Sequence, residues 1–268
     1  MGRLRRILSY YSLSLKFDVK TLFAYPEAFW MAAFTQPLWA IVQMIFIETL
    51  YGQTSNFLGY SKYDSYMLYG TYKAIQSLAV MIFYLRLQDL TEEIRGTSQW
   101  SLDMMLLKPI DSQLFATSGK YWLPELTNIL VGAGMVMYGL VNEPRMINGL
   151  QILAYFYVLF LALIVVYVLY FVLQTLLFWF DYLQVGEAFW IRMQGFGKYP
   201  RELYHGGLGV LVNIAIPVTL MGSVPVEYLL GRIPYTMLAM YTVVVAALFL
   251  LSRWFWFFSL KRYSSFSS

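Results

Sequence analysis

The sequence predicts an all-α membrane protein with six transmembrane helices, and three observations predict it. The 268 residues are 59% hydrophobic and only 13% charged, roughly half the charged share of a soluble globular domain, too little to clothe a water-facing surface. Apolar stretches of about 20 residues, the length that crosses a bilayer, recur along the chain. Basic residues gather in alternate connecting segments, the mark of the cytoplasmic side. Aromatics make up 19%, with 23 Tyr and 8 Trp, and rings that are apolar with one polar edge suit the two membrane–water interfaces.

Residues 1–26 open the chain with an amphipathic pattern. Leu4, Leu8, Tyr11, Leu15, Val19 and Leu22 step by three or four, while Arg5, Ser9, Ser12, Lys16 and Lys20 form a second stripe. The pattern suits a helix lying in the cytoplasmic interface, apolar side in acyl chains and lysines toward headgroups. An ordinary helix packed on protein is the alternative. The segment has neither a continuous apolar core nor a small-residue cleavage site, so it reads as mature chain and not as a signal peptide.

Spans are expected at Glu27–Tyr51, Tyr66–Leu87, Trp122–Val141, Leu150–Phe180 and Pro234–Leu260. Before the last of these, Leu183–Phe196 is short, carries Glu187 and Arg192, and is interrupted by Gly195, Gly197 and Pro200. Leu203–Met221 follows, with Pro217 inside and Pro225 beyond. This region is either two full spans or one broken span plus a hairpin dipping back into the membrane. Arg3, Arg5, Arg6, Lys16 and Lys20 precede the first span; Arg86, Arg95, Lys108 and Lys120 lie between the second and third; Arg253, Lys261 and Arg262 close the chain. Both termini are thus expected in the cytoplasm of a cell-membrane protein, which requires an even number of crossings. Six crossings, with a re-entrant outer hairpin at residues 200–225 between spans five and six, satisfy this; Arg192, Lys198, Arg201 and Arg232 then fall outside. The whole of 1–268 is one transmembrane domain.

The one substantial loop is 88–119. Gly96 and Thr97 break a helix continuing from the second span, Ser101 can cap a short helix with Asp103 at its positive end, and Pro109 stops it. That helix, Leu102–Leu107, places Leu102, Met105 and Leu106 on one side. It either seals the bundle against headgroups or displays a rigid knob for a partner.

The run Ile94-Arg95-Gly96-Thr97, followed by Ser101-Leu102-Asp103-Met104-Met105-Leu106-Leu107-Lys108-Pro109-Ile110, resembles a loop segment of ABC-2-type exporter permeases, in particular a six-span branch. Ala24-Tyr25-Pro26, Lys198-Tyr199-Pro200-Arg201-Glu202-Leu203-Tyr204, Ile216-Pro217 and Pro225 agree with that branch in order and spacing; Ser98-Gln99-Trp100 stands as an insertion. The resemblance implies a second permease subunit, identical or related, and separate P-loop ATP-binding subunits that hold ATP and Mg. It implies that the short loop helix is a coupling helix docking on the ATPase, with Gly96, Ser101, Leu102, Asp103, Leu106, Lys108 and Pro109 forming or supporting that contact. It makes residues 1–26 an interfacial connecting helix and Leu203–Met221 the re-entrant hairpin.

The chain has no cofactor motif of its own. G-x-x-x-x-G-K-[ST], H-E-x-x-H and G-x-S-x-G are all missing; there is no Cys and a single His, His205. Thiolate and His-pair metal sites are thereby excluded within the chain, and no basic stripe suggests nucleic acid. Gly206, Gly207 and Gly209 read as close packing or a turn. No enzymatic activity is expected. Polar residues inside spans are costly and each is a candidate functional group: Gln36 and Gln43 share a face of the first span, Lys73 and Gln76 of the second, Glu125 and Asn128 of the third. They line a substrate path or subunit interface, or Lys73 ties to Glu125 or snorkels to a headgroup. The leading expectation is export of an amphipathic or hydrophobic substrate; a membrane scaffold or binding protein and an ion-coupled secondary transporter are the alternatives.

Overall fold

The computed structural model describes residues 2–95, 102–108, 110–180 and 195–262, and among these it is nearly all helical, with no strand. Helix α1 (Gly2–Ala24) ends at Tyr25, and Pro26 starts α2 (Pro26–Tyr51) at the position where a missing N–H does no harm. Helix α2 is apolar all round and only 19% of its apolar window is buried, the composition of a helix surrounded by hydrocarbon. A tight turn at Phe57–Tyr60, with Leu58 (φ 53) and Gly59 (φ 87) both left-handed, swings Tyr60 inward. Ser61 and Asp64 then form a capping box that opens α3 (Lys62–Ala79).

Helix α3 continues through a π-helical turn, Val80–Tyr84, into α4 (Leu85–Ile94), a helical path of roughly 50 Å at 1.5 Å per residue. It is less apolar than α2 and than the long helices that follow it, and its Tyr66, Tyr69, Tyr72 and Lys73 are buried against other protein segments. Two short helices follow, α5 (Leu102–Leu106) and α6 (Ser112–Thr117), the second capped by Asp111, which accepts from Leu114 N at 3.1 Å. A 3-10 turn at Leu123–Glu125 leads into α7 (Leu126–Asn142), and an Asn148–Gln151 capping box opens α8 (Gly149–Thr175).

Beyond residue 194, α9 (Gly206–Val210) runs through a π-helical turn to Ala215, Pro217 breaks the path, and a 3-10 turn at Val218–Met221 leads into α10 (Ser223–Leu229). The last helix is α11 (Thr236–Leu260). Among the described residues, four segments are long and apolar enough to cross a membrane: Phe29–Gln53, Leu123–Asn142, Gly149–Phe178 and Thr236–Leu260. Each coincides with an expected span; the second expected span is the α3–α4 path, and residues 181–194, which carry most of the expected fifth span, lie outside the described residues.

Helix α8 is the axis of the bundle, packed by α3, α10 and α11, with Val158, Ala162, Val165 and Phe171 fully buried. Helices α3 and α7 cross at Gly70 and Gly132, where a Cβ on Gly70 would stand 2.6 Å from Gly132 O; small residues let membrane helices approach this closely. A second glycine contact folds the chain after residue 194 on itself: Gly222 backs directly onto Gly197 O, leaving no room for a side chain.

Candidate functional site

One end of the bundle gathers α1, α4, α5, α6 and the C-terminal part of α11. Arg86, at the start of α4, is 6% exposed and holds it together. Its two terminal nitrogens donate to both oxygens of Glu93 at 3.0 and 3.1 Å, its Nε donates to Phe115 O at 3.3 Å, and Nη2 reaches Met105 Sδ at 3.7 Å. A planar guanidinium suits this fork-to-fork geometry. The side chain therefore clamps α4 to α5 through Met105 and to α6 through Phe115.

On α5 the side chains divide by depth. Leu102 (0%) and Met105 (3%) are buried, while Met104 (53%), Leu106 (39%) and Leu107 (80%) are exposed. The helix ends at Leu106, one residue short of the expected end, and Leu106, on its last turn, does not join Leu102 and Met105 inside as the sequence pattern suggested. Lys108 Nζ lies 4.2 Å over the Phe115 ring, a cation–π contact. Of the coupling-helix residues, Leu102, Asp103, Leu106 and Lys108 are described; Gly96, Ser101 and Pro109 lie outside the described residues.

Two further ties fix this end. Arg253 on α11 grips Asp111 at 2.6 and 3.2 Å, and Trp256 Nε1 donates to Ser112 Oγ at 3.0 Å. The Arg253 hydrogen bonds hold the Asp111 carboxyl below its ordinary range. Helix α1 is fastened by Tyr11 OH to Ser118 Oγ at 2.7 Å and by Tyr121 N, which donates to Asp18 Oδ2 at 2.9 Å; burial pushes the Asp18 carboxyl up.

Of the six polar span residues, three come together. Lys73, Glu125 and Asn128 are all buried between α3 and α7, with Asn128 Nδ2 donating to Glu125 Oε2 at 2.9 Å. No Lys73–Glu125 pair within 4 Å occurs among the described ion pairs. Gln76 is half-buried on α3, Gln43 is half-buried beside a separate small crevice with Tyr69 and Tyr199, and the Gln36 side chain lies outside the described residues.

The opposite end holds a network that the sequence reading missed. Tyr60 OH donates to Glu227 Oε1 at 2.6 Å. Arg201 Nε–H is aimed at Glu202 Oε1 (3.2 Å) and stands 2.9 Å from Glu227 Oε2 as an ion pair off the hydrogen-bond line, so that oxygen accepts no hydrogen bond. Arg232 pairs with Asp64, whose side chain is fully buried, and Arg145 pairs with Glu143 at 3.2 Å. Burial pushes the Glu227 carboxyl up to about 7 and, with the nearby Asp64 charge, raises Glu143 as well. Arg201 and Arg232 were the cations that diluted the charge bias of the outer side; here they are internal partners of carboxylates. The Ser61-x-x-Asp64 box was the one local signal for this end. His205 is exposed, and among the described residues no cluster of His, Cys, Asp or Glu could hold a metal ion.

The described residues are nearly all helical and include four helices long and apolar enough to cross a membrane, and the chain is a membrane protein. The sequence pattern of the ABC-2 family transporter proteins matches residues 38–267, and the chain belongs to that family. Permeases of the family work in membranes with ATP-binding subunits and are generally not catalytic themselves. No curated protein and no solved structure matches the chain.

Proposed function

We propose that the chain is the membrane-spanning permease subunit of an ATP-driven exporter, paired with a second permease subunit and energised by two separate subunits that hold ATP and Mg. In this reading the chain crosses the cytoplasmic membrane six times, the fifth crossing lying within 183–196. Both termini and the α5 end face the cytoplasm, α1 lies in the inner interface, and residues 200–225 re-enter the membrane from outside. The cargo is amphipathic or hydrophobic, in keeping with long helices that carry few charges to coordinate a small ion or sugar.

The observation that carries the reading is the division of α5. Leu102 and Met105 anchor it inward against the Arg86 clamp, and Met104, Leu106 and Leu107 project outward. An exposed apolar knob on an internally clamped helix suits a contact through which an ATPase pushes on the second span. Lys73, Glu125 and Asn128 sit in a tight helix crossing, where they serve the rearrangement of α3 against α7 better than the lining of an open path.

Co-purification in detergent with a co-expressed candidate P-loop ATPase tests the proposal. Wild type retains the ATPase, and Met104→Asp/Leu107→Asp loses it with an unchanged melting temperature. A wild-type chain that never holds an ATPase would sink the exporter reading and favour a scaffold. Substitution of Leu102 is unsuited to this test, because a charge at a fully buried position unfolds α5 instead of blocking its outer face.

A further inference from the structure

Two cavities flank α1 at the α5 end, and Lys120 lines both. The first, about 170 Å³, has Arg86, Asp89, Glu93, Lys108 and Lys120 as its charged wall, with Tyr10 of α1 and Phe115 of α6. Arg86 takes Glu93 at 3.0 Å and Lys120 takes Asp89 at 2.6 Å, so the charge left over in that wall is the Lys108 ammonium. The second, about 210 Å³, lies between α1, α2 and the 120–124 stretch, and Leu22, Phe29, Leu85, Trp122 and Leu123 make it largely apolar.

We infer that the two cavities together hold one anionic phospholipid of the cytoplasmic leaflet, its phosphate between Lys108 and Lys120 and an acyl chain in the crevice under α1. The inference rests on the proposed placement of α1 in the inner interface. A soluble anion matches only the first cavity, and an uncharged lipid only the second; the shared lysine selects a molecule with both parts. Basic pockets on the cytoplasmic side of membrane proteins are where acidic headgroups bind. The exposed Phe17 (70%) and Phe23 (77%) of α1 dip into acyl chains in that placement, which sets the crevice mouth at headgroup depth. Lys120, half exposed, can swing its ammonium to a phosphate while its stem stays on the apolar wall. Such a lipid touches α1 and, next to α5, Lys108, so it joins the coupling region to the leaflet.

Native mass spectrometry of the full chain in detergent tests this, with phosphatidylglycerol, phosphatidylcholine of the same acyl chains and inorganic phosphate as probes. Wild type retains one phosphatidylglycerol well above phosphatidylcholine, and inorganic phosphate does not displace it. Lys108→Gln with Lys120→Gln weakens phosphatidylglycerol retention about ten- to thirty-fold and leaves phosphatidylcholine unchanged. Leu85→Trp, which fills the crevice, weakens both. Equal retention of the two lipids by wild type, displacement by inorganic phosphate, or insensitivity to the lysine pair overturns the inference. The chain has no Cys, so a polarity-sensitive dye at Phe17→Cys in lipid nanodiscs reports α1 separately. A dye in water removes the interfacial placement and the inference with it; a dye in acyl chains with equal lipid retention removes the lipid site alone.

Discussion

The two ends of the bundle both bury charge, and they do so in opposite ways. At the α5 end the buried pair, Arg86 and Glu93, lies seven residues apart on one helix and matches donor for acceptor. The remaining pairs there, Lys120–Asp89 and Arg253–Asp111, are partly exposed, and the outermost surface of α5 is apolar. At the other end, beside the local pairs Arg201–Glu202 and Arg145–Glu143, contacts across 167 and 168 residues of sequence hold buried carboxylates, Glu227 by the Tyr60 hydroxyl and Asp64 by Arg232. They leave Asp64 Oδ1 and Glu227 Oε2 buried without a hydrogen bond. The first end satisfies its buried guanidinium, Arg86, within one helix, and the outer side of α5 is apolar. The second sews the Tyr60 turn to α10 and the 229–233 turn, and the raised carboxyl of Glu227 makes it sensitive to protons.

The contrast breaks most readily at its strongest point. Glu93→Ala leaves the buried Arg86 with Asp89, at 3.9 Å, as its remaining carboxylate, a loss of about 3 kcal/mol; thermal unfolding in detergent should show the largest drop of any single change here, and an unshifted melting temperature would refute the clamp. Asp64→Ala removes both the α3 capping box and the Arg232 partner. It is expected to cost about 2–3 kcal/mol by the same measurement, less than Glu93→Ala because Arg232 stays partly solvated.

Glu227 sharpens the comparison through pH. Its folded-state pKa of about 7 lies above the ordinary glutamate value of about 4.3. Between those values the folded chain binds more protons than the unfolded one, so stability falls as pH rises through that window. Melting temperature followed from pH 5 to 8, on the order of the window these values define, should fall less steeply in Glu227→Gln than in wild type; parallel slopes would show that Glu227 does not titrate there. The smallest effect is expected for Lys62→Ala, which removes an exposed pair with Glu48 at 2.9 Å and should leave the melting temperature nearly unchanged, because solvent screens such a pair. A larger loss would mean that the Tyr60–Glu227 end depends on its surface charges as well.

These differences explain what was legible in the sequence. The apolar helices were legible because hydrocarbon imposes a length and a composition: α2, α7, α8 and α11 begin and end within a few residues of the expected spans. The α3–α4 path was found despite its tyrosines, but its π-helical turn at Val80–Tyr84 carries no composition signal. In the loop, the position of α5 was readable from Leu102-Asp103 onward, whereas its outward face was not. Periodicity puts Leu102 and Leu106 together, and only the surroundings supplied by α4 and α6 decide that Leu102 is covered and Leu106 is not. The network around Tyr60 and Glu227 was invisible because its partners are joined by tertiary structure alone. Arg201 and Arg232 looked like loop charges until Glu227 and Asp64 stood beside them. The Lys73–Glu125 pairing suggested by their place in adjacent spans gives way to Asn128 as the hydrogen-bond partner of Glu125.

The central claim, that the outward face of α5 meets an ATP-binding subunit, is tested most directly by cross-linking in membranes from the cysteine-free chain. Single substitutions Leu107→Cys at the α5 end and Met146→Cys, fully exposed in the α7–α8 loop, are each treated with a short cysteine-to-lysine cross-linker in the presence of the ATPase. Cross-linking from position 107 and none from position 146 is the result the account predicts. Cross-linking from position 146, or from neither position with both proteins present and folded, would contradict it.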